Sequence, residues 1–208
     1  MLRFLLKLAL GCIVLSTLTI FISRAVGSTR PVNPVLRGFT EGCEGQPQPC
    51  WYGIVPGRSK FSDARKWVQS WDSQEYREIE STATFDVNTR TVGSRFSPDS
   101  CYSFFHSTRP SSVVDYIELS DCPDLQFGDL INQFGAPDKI QFRIGIWGQF
   151  GEIAFILDSQ GDVFNPRTKP RMLIMPSTDN VDLFFDWHGF ASHRRYCQLE
   201  PQNYTCPQ

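Results

Sequence analysis

Residues Leu125 to Ile140, LQFGDLINQFGAPDKI, constrain the fold more than any other stretch. Phe127, Leu130, Ile131 and Phe134 recur at i, i+3, i+4 and i+7, which is one apolar stripe of a helix. Gly135 can adopt the positive φ that ends a helix, and Pro137 prevents its continuation. The opening of this helix has an echo: Phe61-Ser62-Asp63 precedes Phe127-Gly128-Asp129 by 66 positions. A second echo pairs Val114-Asp115-Tyr116-Ile117 with Val181-Asp182-Leu183-Phe184 at an offset of 67. Two matches at nearly one offset predict a duplicated unit, a helix leading into strands, with pseudo-repeats at about 50–120 and 121–187.

The first copy is expected to start after the Pro56-Gly57 turn, with Ser59 as cap and Phe61, Ala64, Val68 and Trp71 along one helical face. Trp51, Tyr52, Trp67 and Trp71 are read as core aromatics, because such rings bury large areas. Alternation and β-branched residues then predict strands over 77–87, 102–106 and 113–119, with turns at Asn88-Thr89-Arg90 and Ser107–Ser112. In the second copy the expected strands are 139–146, 152–157, 162–164, 171–175 and 181–187. Asp158-Ser159-Gln160-Gly161 reads as a hairpin turn; its oxygen ligands are too few for a calcium loop. The fold class is therefore α+β: two helix-plus-antiparallel-strand units in tandem, each helix lying on one face of a sheet whose other face is open.

The N-terminus has a different texture. Leu8 to Ile22 is an uncharged apolar run behind Arg3 and Lys7. Residues 4–23 could span a bilayer as a short helix. Alternatively, residues 1–27 are a signal peptide cleaved near Gly27, after which the domain is secreted. Pro31, Pro34, Pro47 and Pro49 mark residues 28–49 as an extended tether to the domain at 50–187; residues 188–208 read as a loop-like tail, stapled if Cys197 pairs with Cys206.

Six cysteines follow that segment: Cys43, Cys50, Cys101, Cys122, Cys197 and Cys206. An even number behind an export-type segment predicts disulfides and an extracytoplasmic location. Six cysteines allow 15 pairings, of which nearest-neighbour pairing is the simplest. There is no C-x-x-C pair, and His106, His188 and His193 show no ligand spacing against the cysteines, so no metal site and no cofactor is expected. Four of the 20 basic residues, and none of the 22 acids, fall in residues 1–30, which leaves residues 31–208 with a net charge of −6. An acidic body argues against nucleic acid as a partner.

Pro49-Cys50-Trp51-Tyr52-Gly53-Ile54-Val55-Pro56-Gly57 resembles the PCWxGIxPG signature of uncharacterised bacterial envelope proteins. Those proteins carry a later L-x-D-[LI]-I…G-x-P-D element, matched here by Phe127-Gly128-Asp129-Leu130-Ile131 (Phe in place of the first Leu) and by Gly135-Ala136-Pro137-Asp138. The resemblance spans roughly Pro49 to Trp187 and brings no activity with it. More distantly, a helix that closes on G-x-P before strands is similar to the SmpA/BamE and β-lactamase-inhibitor-protein group, although the first helix here runs into Trp71-Asp72-Ser73. That similarity implies a fold and a habit of binding proteins.

The expected function is a non-enzymatic module that binds an envelope or extracellular protein. Gly53, Pro56, Gly57, Gly135, Pro137 and Asp138 are expected to be structural, forming turns. The alternatives are an extracytoplasmic hydrolase, for which Asp186, His188, Ser192 and His106 are the available groups, and a carrier of small apolar ligands lined by some of the 17 Phe residues. No G-x-S-x-G, H-E-x-x-H or S-x-x-K is present, and no catalytic residue is assigned.

Overall fold

The computed structural model describes residues 7, 10–19, 21, 33–70, 77–82, 88–95, 101–108, 112–143, 145–158, 164–176, 185–202 and 206. Two compact units result, Met1–Val32 and Asn33–Gln208. In the first, residues 10–19 are helical (α1), and Leu10, Ile13, Val14, Leu15, Leu18 and Phe21 are exposed. Among the described residues no helix is long and apolar enough to cross a membrane.

The second unit is α+β. Its helices are α2 (Phe61–Ser70), α3 (Phe127–Phe134) and α4 (His193–Leu199), with a 3-10 helix at Pro34–Phe39. Its strands are β1 (Arg77–Thr82), β2 (Asn88–Arg95), β3 (Tyr102–Thr108), β4 (Tyr116–Ser120), β5 (Lys139–Arg143), β6 (Gly145–Phe150), β7 (Ile153–Leu157), β8 (Pro170–Met175) and β9 (Phe185–Asp186). They form one antiparallel sheet in the order β1-β2-β3-β4-β8-β7-β6-β5-β9. The centre is the β4–β8 pair, with Ile117 opposite Met175 and Leu119 opposite Leu173, all four buried.

Burial alternates along β3, β4 and β6, as in a sheet with one covered face. Phe105, Ile117, Leu119, Phe155 and Leu173 point into the core with Phe61, Ala64 and Val68 of α2 and Phe127 and Leu130 of α3. Tyr102, Phe104, His106, Tyr116, Glu118 and Trp147 alternate with the buried residues and are half-buried. Phe61 and Phe127 each open their helix and each are buried. Phe127 packs against Phe150, Phe155, Phe164, Trp187 and Phe190, with ring centroids 4.9–6.1 Å apart.

Three disulfides close the unit: Cys43–Cys50, Cys101–Cys122 and Cys197–Cys206. This is nearest-neighbour pairing. Cys101 stands just before β3 and Cys122 just after β4, so their bridge clamps the ends of two paired strands.

Several expectations are corrected. Residues 33–49 are part of the fold and do not form an extended tether. The Asn33 side chain accepts from the Val35 amide and donates to Asp129 and to the Asp124 carbonyl, tying this segment to the start of α3. Val35, Leu36 and Phe39 are buried. Gly38 lies under the Trp51 ring so closely that a Cβ there would be 2.5 Å from it. The expected turn at Asn88-Thr89-Arg90 is the start of β2, where Thr89 pairs with Ser81 on one side and Thr108 on the other. Two-sided pairing overrides the local turn preference. The expected strand over 139–146 is a hairpin, β5 and β6, in which Arg143 faces Gly145. Ser59 does not cap α2: its hydroxyl accepts from Val55, and the first helical amide, Phe61, donates to the Ser112 carbonyl. The tail contains α4, capped by Ser192, which accepts from Arg195. Val114 lies in the loop before β4. Trp71, Val181 and Ser159-Gln160-Gly161 lie outside the described residues.

Tyr196 of α4 is fully buried against Phe142 and Phe185. Its hydroxyl accepts from the His188 amide and donates to the Gly189 carbonyl. Burial pushes the phenol up to about 12 from 10.0. A raised folded value contributes stability below pH 10.0 that is lost as pH climbs towards 12, because only the unfolded chain ionises in that window. An ultraviolet difference titration should show a late phenol step that Tyr196→Phe removes.

Candidate functional site

A cleft of about 610 Å³ opens where three segments meet. One wall is the end of the 3-10 helix and the entry to the first motif: Phe39, Thr40, Gln48 and Pro49. The second is the end of α3 and the turn after it: Gln133, Phe134, Ala136 and Asp138. The third is the β6–β7 turn: Phe150, Gly151, Glu152 and Ile153. Pro49, the first residue of one motif stretch, thus lies across the opening from Ala136 and Asp138 of the other.

The floor is aromatic. Phe39 meets Phe134 edge-on at 4.9 Å, and Phe134 meets Phe150 at 5.7 Å. Phe39 and Phe150 are buried and Phe134 is half-buried. The rim is polar. Asp138 and Glu152 are exposed, Gln48 and Thr40 are exposed, and among the described residues no basic side chain lines the cleft.

Local chemistry explains how the second wall is built. α3 ends because Gly135 takes φ 87°, a conformation strained for any side chain, while its amide still donates to the Ile131 carbonyl. Its ψ of −165° is extended, so the chain leaves the helix directly into β5 without a left-handed helical cap. Pro137 is buried. Asp138 accepts from the Gly151 amide at 2.6 Å, its own amide donates to the Gln149 carbonyl, and its carbonyl accepts from the Trp187 amide. Asp138 thereby fixes the β6–β7 turn that forms the third wall, across 13 residues of sequence. Gly135→Ala should destabilise the protein by about 1 kcal/mol or more, since alanine is strained at positive φ; a chemical denaturation midpoint measures this. Nothing lies within 4 Å of a Cβ there, so the cost is conformational rather than steric.

The first motif contributes only its start. Trp51 and Ile54 exchange backbone hydrogen bonds around the turn at Gly53, whose φ is 81°, and the Gly57 amide donates to the Val114 carbonyl at φ 72°. Gly53, Pro56 and Gly57 stand outside the cleft lining, whereas Pro49 is in it.

Of the groups considered for hydrolysis, Asp186 and His188 share the Glu200 carboxylate, while Ser192 and His106 have other partners. Asp186 pairs with Lys139 at 2.5 Å, and this hydrogen bond holds its carboxyl below the usual range. Ser192 caps α4. His188 Nε2 lies 2.7 Å from Glu200. His106, on the sheet, stacks on Tyr116 at 4.1 Å, with Nδ1 3.0 Å from the Thr91 hydroxyl and Nε2 3.5 Å from Glu118. The Asp186 amide and His188 Nε2 both meet Glu200 Oε1, at 2.9 and 2.7 Å, whereas Ser192 caps α4 and His106 stands on the sheet.

One grouping of potential ligand atoms includes the Cys197–Cys206 disulfide. His193, Cys197 and Cys206 place their potential ligand atoms within 4.8 Å of one another. The signal was legible as H-x-x-x-C, because residues four apart share a helical face; it was hidden because the tail read as loop.

No protein-family model matches the chain, and no curated protein or solved structure matches it either.

Proposed function

We propose that this chain is an extracytoplasmic, disulfide-bonded domain that binds another protein and does no chemistry of its own. The observation that carries the proposal is the cleft, an aromatic floor under an acidic rim, walled by the Gly135–Asp138 stretch, the 3-10 helix end with Pro49, and the β6–β7 turn. Its occupant is a polypeptide segment bearing a Lys or Arg next to an apolar side chain. The apolar group covers Phe134 and Phe150, and the cation lies near Glu152, with no basic residue among the described lining residues to repel it. The net charge of −6 over residues 31–208 favours the same sign of partner.

The two helix-and-four-strand halves, α2 with β1–β4 and α3 with β5–β8, are consistent with a duplicated unit, the arrangement that the resemblance to the inhibitor-protein group implies. Export is supported by the three disulfides and by the apolar run Leu8–Ile22, through which the chain is held at the membrane or from which it is released near Gly27.

The test is selection of binders from a displayed random peptide library with the full chain as target. Selected peptides should pair a basic with an apolar residue. Glu152→Lys, and Thr40→Trp, which fills the cleft, should each weaken them at least about tenfold. Asp138→Asn should leave affinity nearly unchanged, because the amide keeps an oxygen that accepts from Gly151. Peptides without a basic residue, or binding indifferent to both cleft variants, would overturn the assignment.

A further inference from the structure

We infer that the Cys197–Cys206 disulfide is a redox gate over a binding site for a thiophilic divalent metal ion, with His193 as the third ligand. This site is separate from the cleft and independent of its assignment.

The three disulfides differ in access. Cys43, Cys50, Cys101 and Cys122 are buried, whereas Cys197, one sulfur of the tail bridge, is half-buried. Thiol–disulfide exchange requires an attacking thiolate to reach a sulfur, so the tail bridge is the one open to a reductant. It also has an imidazole beside it: His193 Nε2 is 3.4 Å from Cys197 Sγ. A neighbouring histidine stabilises the thiolate form. The His193 ring is held in place by stacking on Phe142 at 4.9 Å and by Phe185 at 5.9 Å.

The spacing suits tetrahedral zinc. Bonds of about 2.3 Å to sulfur and about 2.0–2.1 Å to nitrogen put N and S about 3.5 Å apart, and two S about 3.8 Å apart. The His193–Cys197 edge already matches, set by two residues one turn apart on α4. Only the Cys206 sulfur must retreat, and opening the disulfide permits that. A dithiol reductant supplies two electrons and two protons, breaking the S–S bond and itself becoming a disulfide. The metal then displaces the two thiol protons to solvent and binds two thiolates and Nε2. The fourth position is left to water or an external ligand, as in sites with three protein ligands.

The experiment uses the full chain carrying Cys12→Ser, which removes the exposed free thiol among the described residues. Limited dithiothreitol treatment with mass-spectrometric mapping should show Cys197 and Cys206 as the first thiols released. The partly reduced protein should bind one equivalent of Co²⁺ with thiolate-to-cobalt charge-transfer absorption, displaced by Zn²⁺; the oxidised protein should bind none. His193→Ala should weaken Zn²⁺ binding at least about 100-fold, and His193→Gln similarly, with helical circular dichroism confirming that each variant is folded. First release at either buried bridge, absence of cobalt absorption after reduction, or unchanged affinity in both His193 variants would each overturn the inference.

Discussion

Replacing all six paired cysteines by serine should leave the domain unfolded at 37 °C. In the chain-entropy model the cost of losing a bridge grows with the loop it closes, and these loops have sequence separations of 7, 21 and 9. The corresponding losses are about 2.5, 3.4 and 2.7 kcal/mol, together roughly 9 kcal/mol. That is comparable to the whole stability of an ordinary domain. The Cys101–Cys122 bridge, which joins the ends of β3 and β4, should dominate. Its single removal should lower the thermal midpoint more than removal of Cys197–Cys206, a ranking that calorimetry on the pairwise variants measures directly.

The second large effect is expected at Phe127. Its ring touches five other aromatic rings drawn from β6, β7 and the segments around Phe164 and Trp187. Phe127→Ala should cost about 3–5 kcal/mol, because the surrounding rings cannot all collapse into the space left. Phe61→Ala at the matching turn of α2 should also destabilise. There the ring is covered partly by the Arg65 and Arg90 guanidinium groups, at 5.8 and 5.3 Å, and these long side chains can rearrange. A urea titration of the two variants should therefore show the larger midpoint shift at Phe127. Equal shifts would mean that the aromatic cluster is looser than its geometry implies.

These two positions also mark what was legible in the sequence. The helical stripes and their shared opening were readable because amphipathic period and turn residues are local properties. The formation of disulfides was readable from the even cysteine count, but the choice among 15 pairings was not; the structure takes the nearest-neighbour one. The continuous sheet was not, because the β4–β8 pairing that unites its halves brings together Ile117 and Met175, which no local pattern connects. The 3-10 helix at Pro34–Phe39 was hidden by its Pro and Gly content. What folds it in is tertiary: Asn33 bonded to Asp129, and Trp51 resting on Gly38. α4 was missed because only Tyr196 of its seven residues is buried, so it carries no apolar stripe. The cleft was half legible. Its wall at Ala136 and Asp138 stood out as unusual sequence, but the wall at Phe39 and Thr40 read as tether, and the acidic wall at Glu152 lies in a plain hairpin turn, placed there by the bond from the Gly151 amide to Asp138.

Site-specific photocrosslinking tests the central claim, that the cleft is where a partner protein binds. A photoreactive amino acid would be introduced at Gln133 on the cleft wall, and at Arg194 on the exposed side of α4 as control, in the cells that make the protein. Irradiation should yield one discrete protein adduct from Gln133, reduced by Glu152→Lys, and none from Arg194. The absence of any adduct from Gln133, or an equal adduct from both positions, would contradict the account.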